Sequence, residues 1–236
     1  MNIFLTGGSG GIGRAIIRSL TGEKENTVYY TYWKTKPQAD PGNAKALRCD
    51  LGNREDVRKL VAEHQDIEFD VIVNNAFEKL ELKPFLKTEW DDIQHSLDVG
   101  VRSAFELTRA FAKSMKRRKQ GHIITVLSAV VLEKAPAQMV PYVVAKHALL
   151  GLHNALAAEL TKSGIRVNAV SPRMVQTGFI AQLPDHYVHM TADSMPNKKL
   201  LTPEDVADRV RYLVSEGPDD ITGENLSVVT KDKDAV

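Results

Sequence analysis

The chain contains a single cysteine, so it cannot form a disulfide within itself, and this scarcity fits a reducing compartment. Its 31 basic and 30 acidic residues nearly cancel to a formal net charge of +1, so no overall field attracts nucleic acid or an anionic membrane. No apolar run approaches the roughly 20 residues that span a bilayer. Because a predicted strand begins at the second residue, we expect no signal or transit segment. We therefore expect a cytoplasmic protein with neither nucleic acid nor a membrane as its partner.

Glycine, by contrast, is concentrated near the start of the chain, where residues 6–13 read TGGSGGIG. This run joins a predicted strand to a predicted helix. Glycine lets the backbone turn tightly and approach a pyrophosphate, and the helix N-terminus offers unpaired N–H groups and the positive end of its dipole. The run therefore predicts a dinucleotide phosphate site that includes Thr6, Gly7, Gly11, Ile12 and Gly13.

Strand-like and helical patterns alternate along nearly the whole chain. The predicted strands cover residues 2–6, 27–32, 45–49, 70–74, 122–127, 166–170 and 225–229. The predicted helices cover residues 11–20, 54–64, 90–119, 142–163 and 203–215, with Asn53 and Thr202 as N-caps. Such alternation predicts a parallel sheet with right-handed crossovers. We expect a single α/β domain over residues 1–236, of the doubly wound Rossmann type, with a mostly parallel seven-stranded sheet and helices on both faces.

A candidate catalytic pair lies at the start of the fourth predicted helix. Tyr142 and Lys146 are separated by one helical turn, so their side chains share a face. A nearby ammonium favours the phenolate and lowers the pKa of a tyrosine, which suits the hydroxyl to proton transfer. Ser128 follows the preceding strand. The three residues, together with the glycine run upstream, predict a catalytic site.

With these motifs the chain resembles the short-chain dehydrogenase/reductase family over nearly its whole length, and in particular its 3-oxoacyl-carrier-protein reductases. The resemblance implies that Tyr142 donates a proton to a carbonyl oxygen while a nicotinamide delivers hydride to the carbon. It implies that Ser128 holds the same oxygen, and that Lys146 lowers the tyrosine pKa and binds the nicotinamide ribose. The implied activity is reduction of a ketone or aldehyde, 3-oxoacyl thioesters included, and the same groups can oxidise an alcohol.

The resemblance also implies further contacts with the cofactor. Asp50 stands where the family contacts the adenine ring, and Asn74 and Ala76 belong to the segment that flanks the adenosine ribose. Pro172 lies in the turn beside the nicotinamide, and Thr177 matches a threonine that contacts the cofactor amide or phosphates.

The end of the second predicted strand indicates which nicotinamide cofactor is used. Residues 31–36 read TYWKTK, without the acidic residue that NAD-specific sites place on the ribose 2′-hydroxyl. Lys34, with Arg14 on the first helix, can pair with a 2′-phosphate, although a solvated basic turn is the alternative. We therefore expect NADP(H) in preference to NAD(H).

Three residues depart from the family pattern. Gly100 stands where the family has an asparagine that supports a water relay behind the lysine, Arg173 replaces a glycine after Pro172, and Phe77 replaces a glycine after Ala76. These changes leave two alternatives open. The chain can be a catalytically weak member that binds cofactor and acts as a sensor or scaffold, or an enzyme whose Arg173 holds a substrate carboxylate or phosphate.

The remaining features concern substrate and partners. Residues 178–199 are the longest irregular stretch and follow a strand end, so we interpret them as a substrate lid, with a surface insertion as the alternative. The basic run at 116–119 suits a helix C-terminus or the docking of an acidic carrier protein. His186 and His189 lack further ligands, so we expect no metal. By analogy with the family we expect a homodimer or homotetramer.

Overall fold

A parallel sheet forms the centre of the fold. The computed structural model describes residues 1–35, 41–78, 80–181, 183–195, 197–216 and 221–228. Seven strands pair in the order β3-β2-β1-β4-β5-β6-β7, and each of these pairings is parallel. The strands are β1 (Asn2–Leu5), β2 (Thr27–Tyr32), β3 (Ala44–Arg48), β4 (Val71–Asn74), β5 (Gly121–Val126), β6 (Ile165–Pro172) and β7 (Asn225–Val228). The predicted α/β fold and seven-stranded sheet are confirmed.

The strand order reverses between β1 and β4. The chain steps outward from β1 to β2 and β3, then returns to the other side of β1 and continues outward to β7. In such sheets the loops at the carboxyl ends of the strands part at the point of reversal, and ligands bind in the resulting crevice. The glycine run follows β1 and Phe77 follows β4, so both lie at this point.

Helices cover both faces of the sheet. They are α1 (Gly11–Thr21), α2 (Arg54–His64), α3 (Trp90–Leu97), α4 (Ser103–Arg118), α5 (Val140–Leu160), α6 (Asp185–Asp193) and α7 (Pro203–Arg211). Alternate residues of β1 belong to two layers of core, as the two-residue period of a strand requires. Ile3 and Leu5 are buried in the layer that contains α1 and α7, whereas Phe4 is buried in the layer that contains α2 and α4.

Side-chain caps fix the starts of two helices, as predicted. Asn53 Oδ1 accepts a hydrogen bond from the Glu55 amide at 2.9 Å and so begins α2. Thr202 and Asp205 form a reciprocal capping box at the start of α7, where Pro203 occupies the first turn. Substitution of such a cap by alanine typically costs about 1 kcal/mol.

The structure differs from the predicted elements at several places. The predicted helix 203–215 consists of α7 and a π-helical segment at Tyr212–Glu216. The predicted helix 90–119 consists of α3, a π-helical segment at Asp98–Arg102 and α4, and Gly100 lies at the centre of the π segment. Residues 178–199, predicted to be irregular, contain a short 3-10 turn and α6. The last predicted strand includes Val229, which lies outside the described residues. Among the described residues, no helix has the length and apolar character needed to cross a membrane.

Candidate active site

Hydrogen bonds to β2 fix the conformation of the glycine loop after β1. The Gly7 N–H donates to Thr31 Oγ1 at 3.0 Å, and the Gly8 N–H donates to the Thr31 carbonyl at 2.9 Å. Gly7 has a φ of 71°, in the left-handed region that favours glycine. The loop therefore turns away from the sheet and delivers the chain to the N-terminus of α1.

This loop leaves the room that a dinucleotide phosphate needs. A Cβ at residue 13 would meet the Gly7 carbonyl and stand 2.8 Å from Gly8 Cα, so only glycine lets α1 start this close to the loop. A Cβ at residue 11 would lie 2.7 Å from Thr177 Cγ2. The N-terminus of α1 has no side-chain cap. The bare helix end and the glycine cradle thus fit a pyrophosphate group.

Thr6 and Asn75 tie the glycine loop to the end of β4. Thr6 Oγ1 accepts hydrogen bonds from the Asn75 and Ala76 amides, each at 3.0 Å. The Asn75 side-chain amide donates to the carbonyls of Thr6 at 2.9 Å and Gly7 at 3.2 Å. Thr6 is buried, and its hydroxyl is used in these hydrogen bonds. It therefore supports the predicted cofactor site from behind the cavity wall.

A cavity of about 460 Å³ runs from the glycine loop to the start of α5, and we call it the main cavity. Its wall brings together most of the predicted site residues, which are Gly7, Gly11, Ile12, Gly13, Ala76, Ser128, Tyr142, Lys146, Pro172 and Thr177. The phosphate cradle and the catalytic candidates therefore share one continuous space.

The catalytic candidates are positioned by two neighbouring elements. Ser128 follows β5, is buried, and accepts a hydrogen bond from the Val130 amide at 3.3 Å, which begins a 3-10 turn. Tyr142 lies in the first turn of α5, and Lys146 follows one turn later. The buried Lys146 ammonium donates to the Val126 carbonyl at 2.9 Å. The helix and the end of β5 thus aim all three side chains at the main cavity.

Burial controls the protonation of the pair. It raises the pKa of Tyr142 to about 12, against an opposing hydrogen bond from Ser128. Burial also lowers the pKa of Lys146 to about 7. The net shift of the tyrosine pKa is therefore upward and not downward as expected from the spacing, because desolvation disfavours the phenolate. The same desolvation disfavours the ammonium of Lys146.

Phe77 packs directly on this pair. Its ring centroid lies 4.8 Å from Lys146 Nζ, and the ring meets that of Tyr142 edge to face with centroids 5.2 Å apart. A Cβ at residue 100 would lie 2.8 Å from Phe77 Cε2. The two departures at 77 and 100 are thus one structural feature, because the absence of a side chain at 100 makes room for the ring.

Four predicted cofactor residues lie off the wall of the main cavity, namely Thr6, described above, and Asn74, Asp50 and Lys34. Asn74 is buried, and its side-chain amide donates to Thr108 Oγ1 on α4 at 3.1 Å. Asp50 Oδ1 accepts from the Gly52 amide at 3.0 Å and so shapes the turn after β3. Lys34 is exposed just beyond β2. Nothing in these contacts assigns a cofactor atom to them, and their roles stay predictions.

Arg173 is engaged by an ion pair at the edge of the main cavity. Its Nη2 lies 2.6 Å from Glu133 Oε1, and both residues line the cavity while remaining about half exposed. The carboxylate beside Arg173 would compete with any substrate anion.

The basic run at 116–119 is also paired in part, since Arg118 Nη1 lies 2.7 Å from Asp70 Oδ1.

Described residues of the segment 178–199, predicted to be a lid and called the lid segment here, line one end of the main cavity. Leu183 is buried with Leu80 and Met139, and Phe179 and Tyr187 pack against them. The apolar contacts join the lid segment to the loop after β4 and to the start of α5. This end of the cavity is therefore lined largely by apolar side chains.

Sequence reasoning missed three residues of the site. No local pattern indicates Asn75, whose amide donates to the glycine loop, or Glu133, which pairs with Arg173. Phe77 was noted as a departure, but its contact with the catalytic pair was not foreseen. For Phe77 the signal was present in the simultaneous loss of a side chain at 100 and gain of a ring at 77.

Comparisons with known proteins agree with this arrangement. The family model described as enoyl-(acyl carrier protein) reductase matches residues 7–229. The 3-oxoacyl-(acyl-carrier-protein) reductase FabG of Buchnera aphidicola is 31% identical, over 95% of this chain and 94% of the relative. A 3alpha-hydroxysteroid dehydrogenase of Mediterraneibacter gnavus is 30% identical, over 95% and 93%.

Solved structures show the same fold. A 4-hydroxyisoleucine dehydrogenase mutant complexed with NADH and succinate superposes with a TM-score of 0.88 at 27% identity, covering 97% of each chain. A Beutenbergia cavernae protein with NADP bound at low occupancy, provisionally named an NAD(P)-dependent gluconate 5-dehydrogenase, gives 0.86 at 26% identity, covering 97% and 94%. The chain belongs to the short-chain dehydrogenase/reductase family and is an NAD(P)-dependent oxidoreductase.

Proposed function

We propose that the protein reduces a ketone or aldehyde with NADP(H), with Tyr142 as the proton donor. The observation that carries this proposal is that Ser128, Tyr142 and Lys146 line the same cavity as the glycine cradle. Gly7, Gly11 and Gly13 hold the phosphates, and the nicotinamide, when bound, supplies hydride to the carbonyl carbon.

Each side chain then has a distinct task. Ser128 donates a hydrogen bond to the substrate oxygen and holds it beside the phenol. Tyr142 gives its hydroxyl proton to that oxygen as the negative charge develops, so the carbonyl becomes an alcohol. Lys146 stabilises the phenolate that remains and contacts the nicotinamide ribose. A solvent proton restores the phenol before the next turnover.

The protonation state of Tyr142 is the one that a proton donor needs. With its pKa raised to about 12 by burial, the phenol holds its proton at neutral pH, which is the form that reduction uses. Oxidation of an alcohol would instead need the phenolate, which burial disfavours. Reduction therefore starts from the phenol and alcohol oxidation from the phenolate, while the cofactor ratio and the substrate determine the net direction.

Preference for NADP(H) rests on the carboxyl end of β2. Lys34 is exposed there. The Arg48 guanidinium lies 5.0 Å from the centroid of the neighbouring Trp33 ring. A carboxylate at this strand end would contact the ribose 2′-hydroxyl of NAD, and residues 31–36 contain none. A 2′-phosphate would meet basic side chains instead.

The apolar end of the main cavity favours a substrate with a hydrocarbon portion. Leu80, Met139 and Leu183 form this wall with side chains of the lid segment. We propose that the lid segment closes over the acyl chain of a 3-oxoacyl thioester, free or on a carrier protein. The FabG relatives support this substrate class, whereas the hydroxysteroid relative supports a bulkier apolar ketone.

A second candidate function is cofactor binding with little catalysis. It is favoured by Phe77, whose ring fills the space beside Lys146 where a polar relay would otherwise reach the lysine. In that case the protein acts as a nicotinamide sensor or scaffold, in the homodimer or homotetramer that we propose.

One experiment separates these functions. The purified protein is titrated with NADPH and NADH by nicotinamide fluorescence, and β-ketoacyl thioesters and simple ketones are then added to the tighter complex. NADPH oxidation on a thioester supports the reductase. Tight NADPH binding without oxidation on any compound contradicts it and supports the sensor.

A further inference from the structure

The Phe77 ring stands between the catalytic pair and the helical turn at Gly100. It faces Lys146 Nζ at 4.8 Å and the Tyr142 ring at 5.2 Å. A Cβ at 100 would stand 2.8 Å from Phe77 Cε2 and 3.1 Å from Cδ2, both within the aromatic ring. Because the ring is rigid, even alanine at 100 would force it to move.

Phe77 also forms part of a wall between two cavities. A second cavity of about 300 Å³ lies between the loop after β4, α3 and the start of α5. Three residues, Phe77, Leu80 and Tyr142, line both this second cavity and the main cavity. The second cavity differs in character, because charged side chains line much of it, namely Glu78, Glu81, Lys83, Asp91, Asp92 and His95.

We propose that Phe77, in the room left by Gly100, is a positioning residue that seals Lys146 from the second cavity, so that water and protons reach the lysine through the main cavity alone. The proposal deepens the reductase function and rests on it, because a sealed proton route matters only if Tyr142 donates protons. Its structural part, the seal itself, can be tested without turnover.

The charges around the seal determine what happens when it is removed. On the main-cavity side the charged residues are Glu133, Lys134 and Arg173, of which Glu133 and Arg173 pair with each other. On the other side, Glu78 bonds to Ser96 and lies 3.0 Å from His95 Nε2.

Further acidic groups face the second cavity. Lys83 pairs with Asp92 at 2.5 Å, while Glu81 and Asp91 also line the wall. Loss of the ring would admit water to Lys146 and expose it to this acidic wall. Hydration and negative charge both favour the ammonium, so both changes raise the pKa of Lys146 from the value of about 7 that burial sets.

The first test measures the protonation of Lys146 directly. The ¹³Cε shift of Lys146 is followed against pH in protein labelled with ¹³C-lysine, and its signal is assigned by its loss in Lys146→Arg. We expect a midpoint near 7 in the unaltered chain, and a rise of at least about 1 pH unit in Phe77→Ala. Phe77→Leu, which keeps an apolar side chain of similar bulk, should hold the midpoint nearly unchanged. An equal midpoint in all three proteins would overturn the proposal.

The second test measures whether Phe77 and Gly100 depend on each other. Thermal unfolding is compared for Gly100→Ala, Phe77→Ala and the double variant, with Gly151→Ala on α5 as the control. A Cβ at 151 meets nothing within 4 Å, so that variant should unfold at a slightly higher temperature. Gly100→Ala should lower the midpoint when Phe77 is present, but not when residue 77 is alanine. Equal effects in the two backgrounds would contradict the fit between ring and glycine.

Turnover separates this proposal from the proposed function. If the Lys146 midpoint shifts in Phe77→Ala while no carbonyl is reduced by the unaltered chain, the seal is supported and the reductase function fails. If the unaltered chain reduces a carbonyl but the midpoint does not shift, the reductase stands and the seal is overturned. The pH at which reduction declines should also rise in Phe77→Ala and remain in place in Phe77→Leu.

Discussion

The Arg173 guanidinium holds the Glu133 carboxylate at the edge of the main cavity, with Nη2 and Nε at 2.6 and 2.8 Å from the same oxygen, Oε1. Arg173 follows β6 and Glu133 follows the turn after β5, so the pair joins two loops. The ion pair is about half exposed, and such pairs contribute at most about 1 kcal/mol to stability. Its importance therefore lies in the charge it presents to substrate.

Release of Arg173 from its partner should favour anionic substrates. Glu133→Gln removes the competing carboxylate while keeping the side-chain shape, so KM for a carbonyl substrate with a carboxylate should fall severalfold. KM for a neutral ketone should stay the same. The comparison is made by steady-state kinetics on a matched pair of substrates, with Arg173→Gln as the control that should abolish the gain. A fall in KM for both substrates would exclude charge as the cause.

The pH dependence of reduction should follow Lys146. Because burial lowers its pKa to about 7, the ammonium that stabilises the phenolate is present below this pH and is lost as the pH rises through it. The pKa of Tyr142, raised to about 12, keeps the phenol protonated throughout. We therefore expect kcat/KM for reduction to decline above about pH 7.

Lys146→Arg provides the control for this pH profile, since arginine stays charged at every pH of the assay. Its rate should be lower, because the altered geometry misplaces the charge, but the decline near neutrality should disappear. An identical decline in Lys146→Arg would assign the titration to another group.

Alanine should have different effects on cofactor binding at two positions of the glycine cradle, residues 13 and 10. Gly13→Ala would place a Cβ 2.8 Å from Gly8 Cα and against the Gly7 carbonyl, so the loop must distort and cofactor binding should weaken by about tenfold or more. Gly10→Ala meets only the Gly7 oxygen at 3.6 Å, an ordinary contact, and should retain most of the affinity. Titration of both variants with NADPH, followed by fluorescence, makes the comparison. An equal loss of NADPH affinity in both variants would show that close packing at residue 13 does not determine the shape of the cradle.

Charge at the end of β2 should determine the choice of cofactor. Lys34→Glu introduces the carboxylate that suits a ribose 2′-hydroxyl and repels a 2′-phosphate, so the Kd for NADPH should rise by about tenfold and that for NADH should not rise. Lys162→Glu makes the same charge change in the turn that precedes β6, at the amino end of that strand, and is the matched control. A parallel rise for both cofactors in Lys34→Glu would contradict the assignment of a 2′-phosphate to this strand end.

The parts of this site that depend on local spacing could be predicted from the sequence. A glycine run between a strand and a helix, and a tyrosine one turn before a lysine, keep their geometry because neighbouring residues determine it. The start of α2 at Asn53 follows from a similarly local rule. The structure brings the phosphate cradle and the catalytic pair, both predicted from these features, into one cavity.

The features that were missed depend on contacts between distant parts of the chain. The fit of Phe77 against Gly100 and the pairing of Glu133 with Arg173 join residues that come together only after the sheet has formed. The direction of the Tyr142 pKa was predicted wrongly for the same reason, because spacing alone does not reveal how deeply a side chain is desolvated.

The central claim is that Tyr142 donates the proton in a reduction that uses NADPH. The most direct measurement is the oxidation of NADPH by Tyr142→Phe, beside its NADPH affinity, on the best carbonyl substrate of the unaltered chain. We predict that the rate falls by about 10²-fold or more while the Kd for NADPH changes little, because phenylalanine keeps the ring and removes only the acid. A variant that binds NADPH normally and still reduces the substrate at the original rate would contradict the account.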